Sequence, residues 1–232
     1  MIQILDHRNM GKSEQGWLHS LFHFSFAEYY HPDNIRFGAL RVVNDDLFDP
    51  QSGFDTHPHK DMEIVSYVVE GVLTHQDSMG NRRELTRGQV QYMSAGTGVT
   101  HSEFNLTNAP LRFLQIWILP DKSGYAPNYG DHRFPWEARE GKWLRIASNT
   151  GGGAPVEIHQ DMDISVLSLG AGQALSYPLT EGRQAYLIQI EGSGKLNGRG
   201  LSAKDAAEIT KEAEVILQAL EDSHYILFDM SA

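Results

Sequence analysis

The sequence predicts an all-β fold, a barrel or a sandwich, and three observations carry that expectation. Apolar runs are short and rich in β-branched and aromatic residues, as at 37–43, 64–69, 113–119, 185–190 and 225–228. Gly, Pro, Asn and Asp separate them, as turns separate strands. The segment 72–81 reads as a strand running into a tight turn, with Gly80 free to adopt positive φ.

One segment opposes this pattern on propensity. Residues 202–221 are rich in Ala and Glu, which favour helix. Their periodicity is poor, however, because Val215-Ile216-Leu217 is one apolar block and Gly192, Gly194, Gly198 and Gly200 lie just upstream. Pattern and neighbours outweigh propensity, so strands joined by turns are expected here too. A composition break falls at 148–155, Ser-Asn-Thr-Gly-Gly-Gly-Ala-Pro, after an irregular stretch at 127–143 rich in Pro, Gly and aromatic residues. The expected boundary lies near Gly141, giving domains 1–141 and 142–232. Both halves contain several short strands, compatible with a degenerate duplication.

Composition narrows the function. The chain has 232 residues, no cysteine, and 19 Lys and Arg against 30 Asp and Glu, for a formal charge of −11. Without cysteine there are no disulfides, thiolate metal sites or cysteine nucleophiles, so any metal must be held by His, Asp or Glu. The acidic balance argues against direct nucleic-acid binding, which needs clustered Lys and Arg. The first residues lack a basic segment leading into a long apolar one, and no stretch reaches 18 apolar residues. The reading is a cytoplasmic protein with no membrane association.

The sharpest local feature is His57-Pro58-His59. In a strand, residues i and i+2 face the same way, so both imidazoles would enter one cavity. His101-Ser102-Glu103 repeats the spacing. If the two strands face each other inside a barrel, three imidazoles and a carboxylate converge, a set suited to a divalent transition metal. Each pair alone is weak, since His-x-Asp occurs at His31/Asp33, His59/Asp61, His75/Asp77 and His159/Asp161, and these are not all metal sites. Glu63 is a rival carboxylate, in phase with His59 if the strand is regular. His159 with Asp161 has no later partner pair, and His224 stands alone. The aromatic cluster Trp17, Phe22, Phe24, Phe26, Tyr29 and Tyr30 reads as core or as a substrate entrance. His19, His23 and His75 are either supporting partners of a ligand or surface residues. The acidic pair Asp45-Asp46 reads as a solvated face or as a surface for a basic partner.

Context strengthens the histidine signal. Gly53 to Glu63, with Gly71 beyond, resembles the first cupin motif, and Gly88 to Asn105 resembles the second. The spacing departs from the general cupin pattern: a proline is missing at Ser94 and two residues are inserted before His101. Those departures, with Gly16-Trp17-Leu18-His19-Ser20, Phe24-Ser25-Phe26-Ala27, Tyr29-Tyr30-His31-Pro32 and Leu40-Arg41-Val42-Val43-Asn44-Asp45-Asp46, resemble the pirin family. The resemblance is strong over about residues 11–120 and weaker beyond.

It implies a bicupin, two jelly-roll-like β-barrels side by side, with one metal in the N-terminal barrel and a degenerate, metal-free C-terminal one. Carried over by position, His57, His59, His101 and Glu103 are the metal ligands, and Glu103 is preferred over Glu63. Bacterial pirins resemble quercetin 2,3-dioxygenases. The implied activity is therefore metal-dependent opening of a flavonol such as quercetin by O2 with release of CO, Glu103 acting as ligand and general base. Fe(II) is the expected ion on redox grounds, although Zn, Ni, Mn, Cu or Co suits the same donors. The alternative is a metal-dependent regulatory or redox-sensing protein that binds a transcription factor or metabolic enzyme. A third option is an isomerase or binding protein on the same scaffold. The resemblance leans to a monomer.

Overall fold

The computed structural model describes residues 1–232. Apart from two single 3-10 turns, His7–Asn9 and Trp136–Arg139, its regular structure is all strand, and no helix is long and apolar enough to cross a membrane. The chain forms two cupin domains, each a seven-stranded sheet with a four-stranded one.

The first unit comprises residues 11–134 and 158–160. Its seven-stranded sheet runs, in spatial order, Asn128–His132, Val90–Ser94, Glu63–Glu70, Leu111–Ile118, Leu40–Phe48, Leu18–Phe22, Gly11–Glu14. Its four-stranded sheet runs Ser52–His59, Val99–Asn105, Val72–Asp77, Arg82–Thr86. Gly71 joins two of these strands with φ +81, and a Cβ there would lie 2.4 Å from the Pro110 carbonyl oxygen, so the turn requires glycine. Gly80 takes φ +92 after Val72–Asp77, as the turn pattern predicts. Leu18, Phe48, Val68, Leu73, Leu85, Leu111 and Phe113 form a buried apolar cluster in this unit.

The second unit comprises residues 1–10, 135–157 and 161–232. Its seven-stranded sheet runs Ile2–Leu5, Ala206–Thr210, Arg183–Glu191, Ser223–Ser231, Met162–Leu169, Leu144–Asn149, Val156–Ile158. Its four-stranded sheet runs Ala174–Pro178, Glu214–Ala219, Gly194–Leu196, Arg199–Leu201. The strands from Leu40–Phe48 to Leu111–Ile118 and those from Met162–Leu169 to Ser223–Ser231 occupy matching places in the same chain order. This is the topology of a duplication without repeated residues.

The domain limits differ from the expected 1–141 and 142–232. Residues 1–10 belong to the second unit because Ile2–Leu5 pairs antiparallel with Ala206–Thr210, Ile2 opposite Ile209. That edge position corresponds to the place of Asn128–His132 in the first unit. The stretch 127–143, expected to be irregular, thus contributes a strand, held by backbone pairing to Val90–Ser94 rather than by apolar alternation. Residues 202–221 form strands Ala206–Thr210 and Glu214–Ala219, not a helix. In the second of these Val215, Leu217 and Ala219 are buried, whereas Ile216 is 45% exposed, which resolves the apolar block into alternation.

Candidate metal centre

The four-stranded sheet of the first unit positions the histidines. Ser52–His59 pairs antiparallel with Val99–Asn105, His57 opposite His101 and His59 opposite Val99. Residues directly opposite share a face, so the two-residue spacing of His57 and His59 and the register of His101 bring three rings together. A bulge then shifts the register, and Phe54, not Asp55, lies opposite Glu103. The extra residue places Phe54 on the same face as His57 despite their odd separation. On the other side of Val99–Asn105, Asp77 lies opposite His101 and His75 opposite Glu103.

The ring centroids of His57, His59 and His101 are 4.5 to 4.9 Å apart, and one nitrogen from each falls within 4.8 Å of the others. His57 Nδ1 donates to the Asp55 carbonyl at 2.7 Å, which leaves Nε2 with its lone pair. His59 Nε2 and both ring nitrogens of His101 are buried with no hydrogen-bond partner. Burial, then the neighbouring His101 and His57, lowers the His59 pKa to about 4. Burial, then His57 and His75, lowers that of His101 to about 3. Both rings are therefore neutral at pH 7, the state in which imidazole binds a metal. Converging neutral imidazoles with unpartnered nitrogens fit a divalent transition metal.

Glu103 is fully buried but bound differently. The seven-stranded sheet carries a polar row across its inner face, Asn44 opposite Gln115, Gln115 opposite Ser66, and Ser66 opposite Gln91. Ser66 Oγ donates to Glu103 Oε1 at 2.8 Å and Gln91 Nε2 to the same oxygen at 2.6 Å, while Gln115 Nε2 donates to Oε2. Glu103 forms a second close donor group with His101 and His75, sharing His101 with the first. His75, also fully buried, pairs through Nε2 with Asp77 Oδ2 at 3.2 Å and stacks on Tyr129 with centroids 4.5 Å apart. The three imidazoles thus come together as one group, and the carboxylate reaches it through His101.

Beside the imidazoles lies a cavity of about 210 Å³. Phe26, Phe54 and Trp117 supply aromatic walls, His57 and His59 one side, and Asn44, Asp46 and Gln115 a polar side. Trp117 meets the His59 ring edge-on at 4.8 Å and the Phe26 ring at 5.4 Å. The acidic pair is no solvated face. Asp45 is buried and ion-paired to Arg112, with Oδ1 2.8 Å from Nε and Oδ2 2.6 Å from Nη2. Asp46 points the other way, is 1% exposed, and accepts from Ser20 Oγ at 2.5 Å. Burial raises its pKa to about 7, opposed by the Ser20 bond and assisted by Asp45 and Glu103.

Other candidates go elsewhere. Glu63 begins a new strand after Asp61, whose φ of +49 breaks the regular phase counted from His59. Its buried carboxylate accepts from Ser94 Oγ at 2.6 Å and from the backbone N–H of His159 at 3.2 Å, with the His159 ring 3.3 Å away. His159 is stacked on Tyr125. Asp161 pairs with Arg183 at 3.0 Å, and His224 with Glu191 at 3.2 Å. His19 sits by Glu14, and His23 is buried. Of the aromatic cluster, Phe26 lines the cavity, Trp17 packs edge-on against Phe48 and Phe54, and Tyr30 is exposed. In the second unit Asp6, His7 and Asp205 come close, with Asp6 already ion-paired to Arg8. Residue-by-residue reading overlooked Ser66, Gln91 and Gln115; their signal is a lone polar residue on the inner phase of an otherwise apolar strand.

Known proteins bear on this site. Residues 5–118 match the family model described as Pirin, and residues 145–230 match one described as Quercetinase C-terminal cupin domain. The chain is 43% identical to a pirin-like protein of Caulobacter vibrioides, with 95% of each chain covered. It is 39% identical to the quercetin 2,3-dioxygenase of Escherichia coli K12, with 99% of each covered. Among solved structures, the bacterial pirin YhhW of Escherichia coli in complex with nickel(II) superposes with a TM-score of 0.93 at 37% identity, covering 100% of this chain and 99% of that one. A two-barrel fold, a converging histidine group and full-length similarity agree: this chain belongs to the pirin family.

Proposed function

We propose that this chain is a metal-dependent dioxygenase that opens the heterocycle of a flavonol such as quercetin with O2 and releases CO. The observation that carries the reading is the convergence of His57, His59 and His101 beside a cavity walled by aromatic rings. The Escherichia coli relative named quercetin 2,3-dioxygenase supports the substrate class, and the nickel(II) complex of a relative supports a divalent ion on this scaffold. His57, His59 and His101 would hold the ion, with Glu103 as a fourth ligand through one carboxylate oxygen. Fe(II) is the proposed ion, and Zn, Ni, Mn, Cu and Co compete for the same donors. When bound, the ion supplies Lewis acidity toward the flavonol oxygen and an electron-transfer route to O2.

The chain's own residues do the rest. Phe26, Phe54 and Trp117 hold a flat ring and exclude water. Glu103 accepts the proton of the flavonol 3-hydroxyl. Ser66, Gln91 and Gln115 hold its carboxylate in place by hydrogen bonds, so it is preorganised before substrate arrives. No external reductant is needed, because both atoms of O2 stay in the ring-opened product and the expelled carbon leaves with its own oxygen as CO.

The test is CO release and quercetin loss in air by anaerobically iron-loaded protein, beside Glu103→Gln protein of matched metal content. Turnover that collapses in the variant is the expected result. Absence of CO with iron, manganese, nickel and copper alike would overturn the assignment.

A further inference from the structure

The cavity is small for a whole flavonol. A void of about 150 Å³ holds one benzene molecule, and cavities that enclose drug-sized ligands run from about 300 Å³ upward. At about 210 Å³ the space beside His57 and His59 accommodates one substituted aromatic ring, with Phe26, Phe54 and Trp117 around it. The polar side of that space is unusual. Asn44 and Asp46, two residues apart on strand Leu40–Phe48, both line it, and both are at least 97% buried. Asn44 Oδ1 has no hydrogen-bond partner. Asp46 meets the Ser20 hydroxyl through Oδ1 and has no cation, whereas its neighbour Asp45 is neutralised by Arg112 on the other face. A buried acceptor left open in a structure that pairs its other strand acid is a site awaiting a donor.

We propose that Asn44 and Asp46 read the hydroxyl groups of a single aromatic ring, so that the cavity selects a hydroxylated ring over the same ring without hydroxyl donors. The ring hydroxyl donates to Asn44 Oδ1, and Asp46, fixed by Ser20, takes a neighbouring hydroxyl. This rests on the proposed function's assignment of the cavity as the ligand site, not on the reaction carried out there. The shared chemistry is a hydroxyarene, either free or as one ring of a flavonol whose remaining rings stay outside. Asp46 holds a proton more readily than an exposed carboxyl, which lets it act as donor or acceptor toward that hydroxyl.

The experiment is an anaerobic titration of zinc-loaded protein, where no turnover occurs, followed by tryptophan fluorescence and calorimetry. The probes are quercetin against 3-hydroxyflavone, which lacks hydroxyls on the outer rings, and benzene-1,2-diol against 1,2-dimethoxybenzene. The hydroxylated member should bind about 10- to 100-fold more tightly, the penalty for leaving a buried polar group unpaired. Asn44→Leu should reduce that ratio to within about threefold, and Asp46→Asn, which keeps an acceptor for Ser20, should reduce it in part. Discrimination in both probe pairs supports recognition of a free ring, and discrimination in the flavonol pair alone supports a ring read within a larger ligand. Equal affinities within both pairs, or a ratio unchanged in both variants, overturns the proposal. Discrimination without CO release would remove the dioxygenase reading and leave this inference standing, whereas CO release without discrimination would remove this inference alone.

Discussion

The two barrels share a topology and differ in what fills them. In the first, strands Ser52–His59 and Val99–Asn105 turn His57, His59, His101 and Glu103 inward, against a polar row of Asn44, Gln115, Ser66 and Gln91 on the facing sheet. In the second, the strands at the same places, Ala174–Pro178 and Glu214–Ala219, turn in Leu175, Tyr177, Val215, Leu217 and Ala219. These pack with Leu167, Leu187, Leu196, Tyr225 and Leu227 into one apolar cluster. The architecture itself is indifferent to chemistry. Hydrocarbon at the inward positions closes a barrel and stabilises it, while imidazoles and amides at those positions leave a cavity and unpartnered nitrogens.

The largest expected effect separates the barrels by metal content. His101→Ala should lower bound metal to below about a tenth of the parent's, because it removes the donor shared by both close donor groups. His224→Gln in the second barrel should leave the stoichiometry unchanged. Elemental analysis after loading decides the matter, and equal loss in both variants would break the comparison. Next is Leu217→Ala, which empties part of the second barrel's core and should cost about 2–5 kcal/mol in denaturant unfolding. Metal content should not move. A variant that loses stability and metal together would mean the two barrels are not energetically separate.

Much of this difference is legible along the chain, because it depends on local parity. His57 and His59 share a face by spacing alone, and strand Glu214–Ala219 alternates once Ile216 is read as the outward residue. What stays hidden depends on pairing between distant residues. Nothing near Ile2–Leu5 announces that it pairs with a strand some 200 residues later. Asp45 and Asp46 read as a charged surface until strand pairing brings Arg112 within reach of the first and Ser20 opposite the second. Glu63 keeps phase with His59 only in a regular strand, and the turn at Asp61 resets it. The polar row is invisible in any one strand, since Ser66, Gln91 and Gln115 matter only when the register aligns them.

A buried histidine sharpens the comparison through pH. His23 is fully buried in the first unit, and burial lowers its pKa from 6.5 to about 4, partly offset by Asp45. The folded state then holds fewer protons than the unfolded state between those values. Stability is therefore complete above pH 6.5 and declines as pH falls toward 4. Between pH 7.5 and pH 5 the loss from this group is about 2 kcal/mol. Hydrogen exchange read separately on each barrel should show it in first-barrel amides, and His23→Gln should flatten that slope. An unchanged slope in the variant would assign the acid sensitivity to other groups.

The smallest effect compares one amide in each barrel. Gln115 Nε2 donates to the Glu103 carboxylate, whereas Gln189 Nε2 donates to the Ser223 hydroxyl and the Glu191 carbonyl, each at 3.1 Å. A hydrogen bond to a charged acceptor contributes about 1.5–3 kcal/mol and one between neutral groups about 0.5–1.5 kcal/mol. Gln189→Leu loses two neutral bonds, about what one charge-assisted bond contributes. Gln115→Leu also strands a buried carboxylate oxygen of Glu103, so it should cost roughly 1 kcal/mol more than Gln189→Leu, measured by exchange protection in the respective sheets. Both leucines approximate the volume of the glutamine, so the difference reports the acceptor rather than the packing. Binding of an ion should enlarge the Gln115 effect if Glu103 serves as its ligand, because the amide then orients a coordinating carboxylate. A Gln115 penalty that is equal with and without metal would instead confine Glu103 to the polar row, as a buried carboxylate held by amides and a hydroxyl.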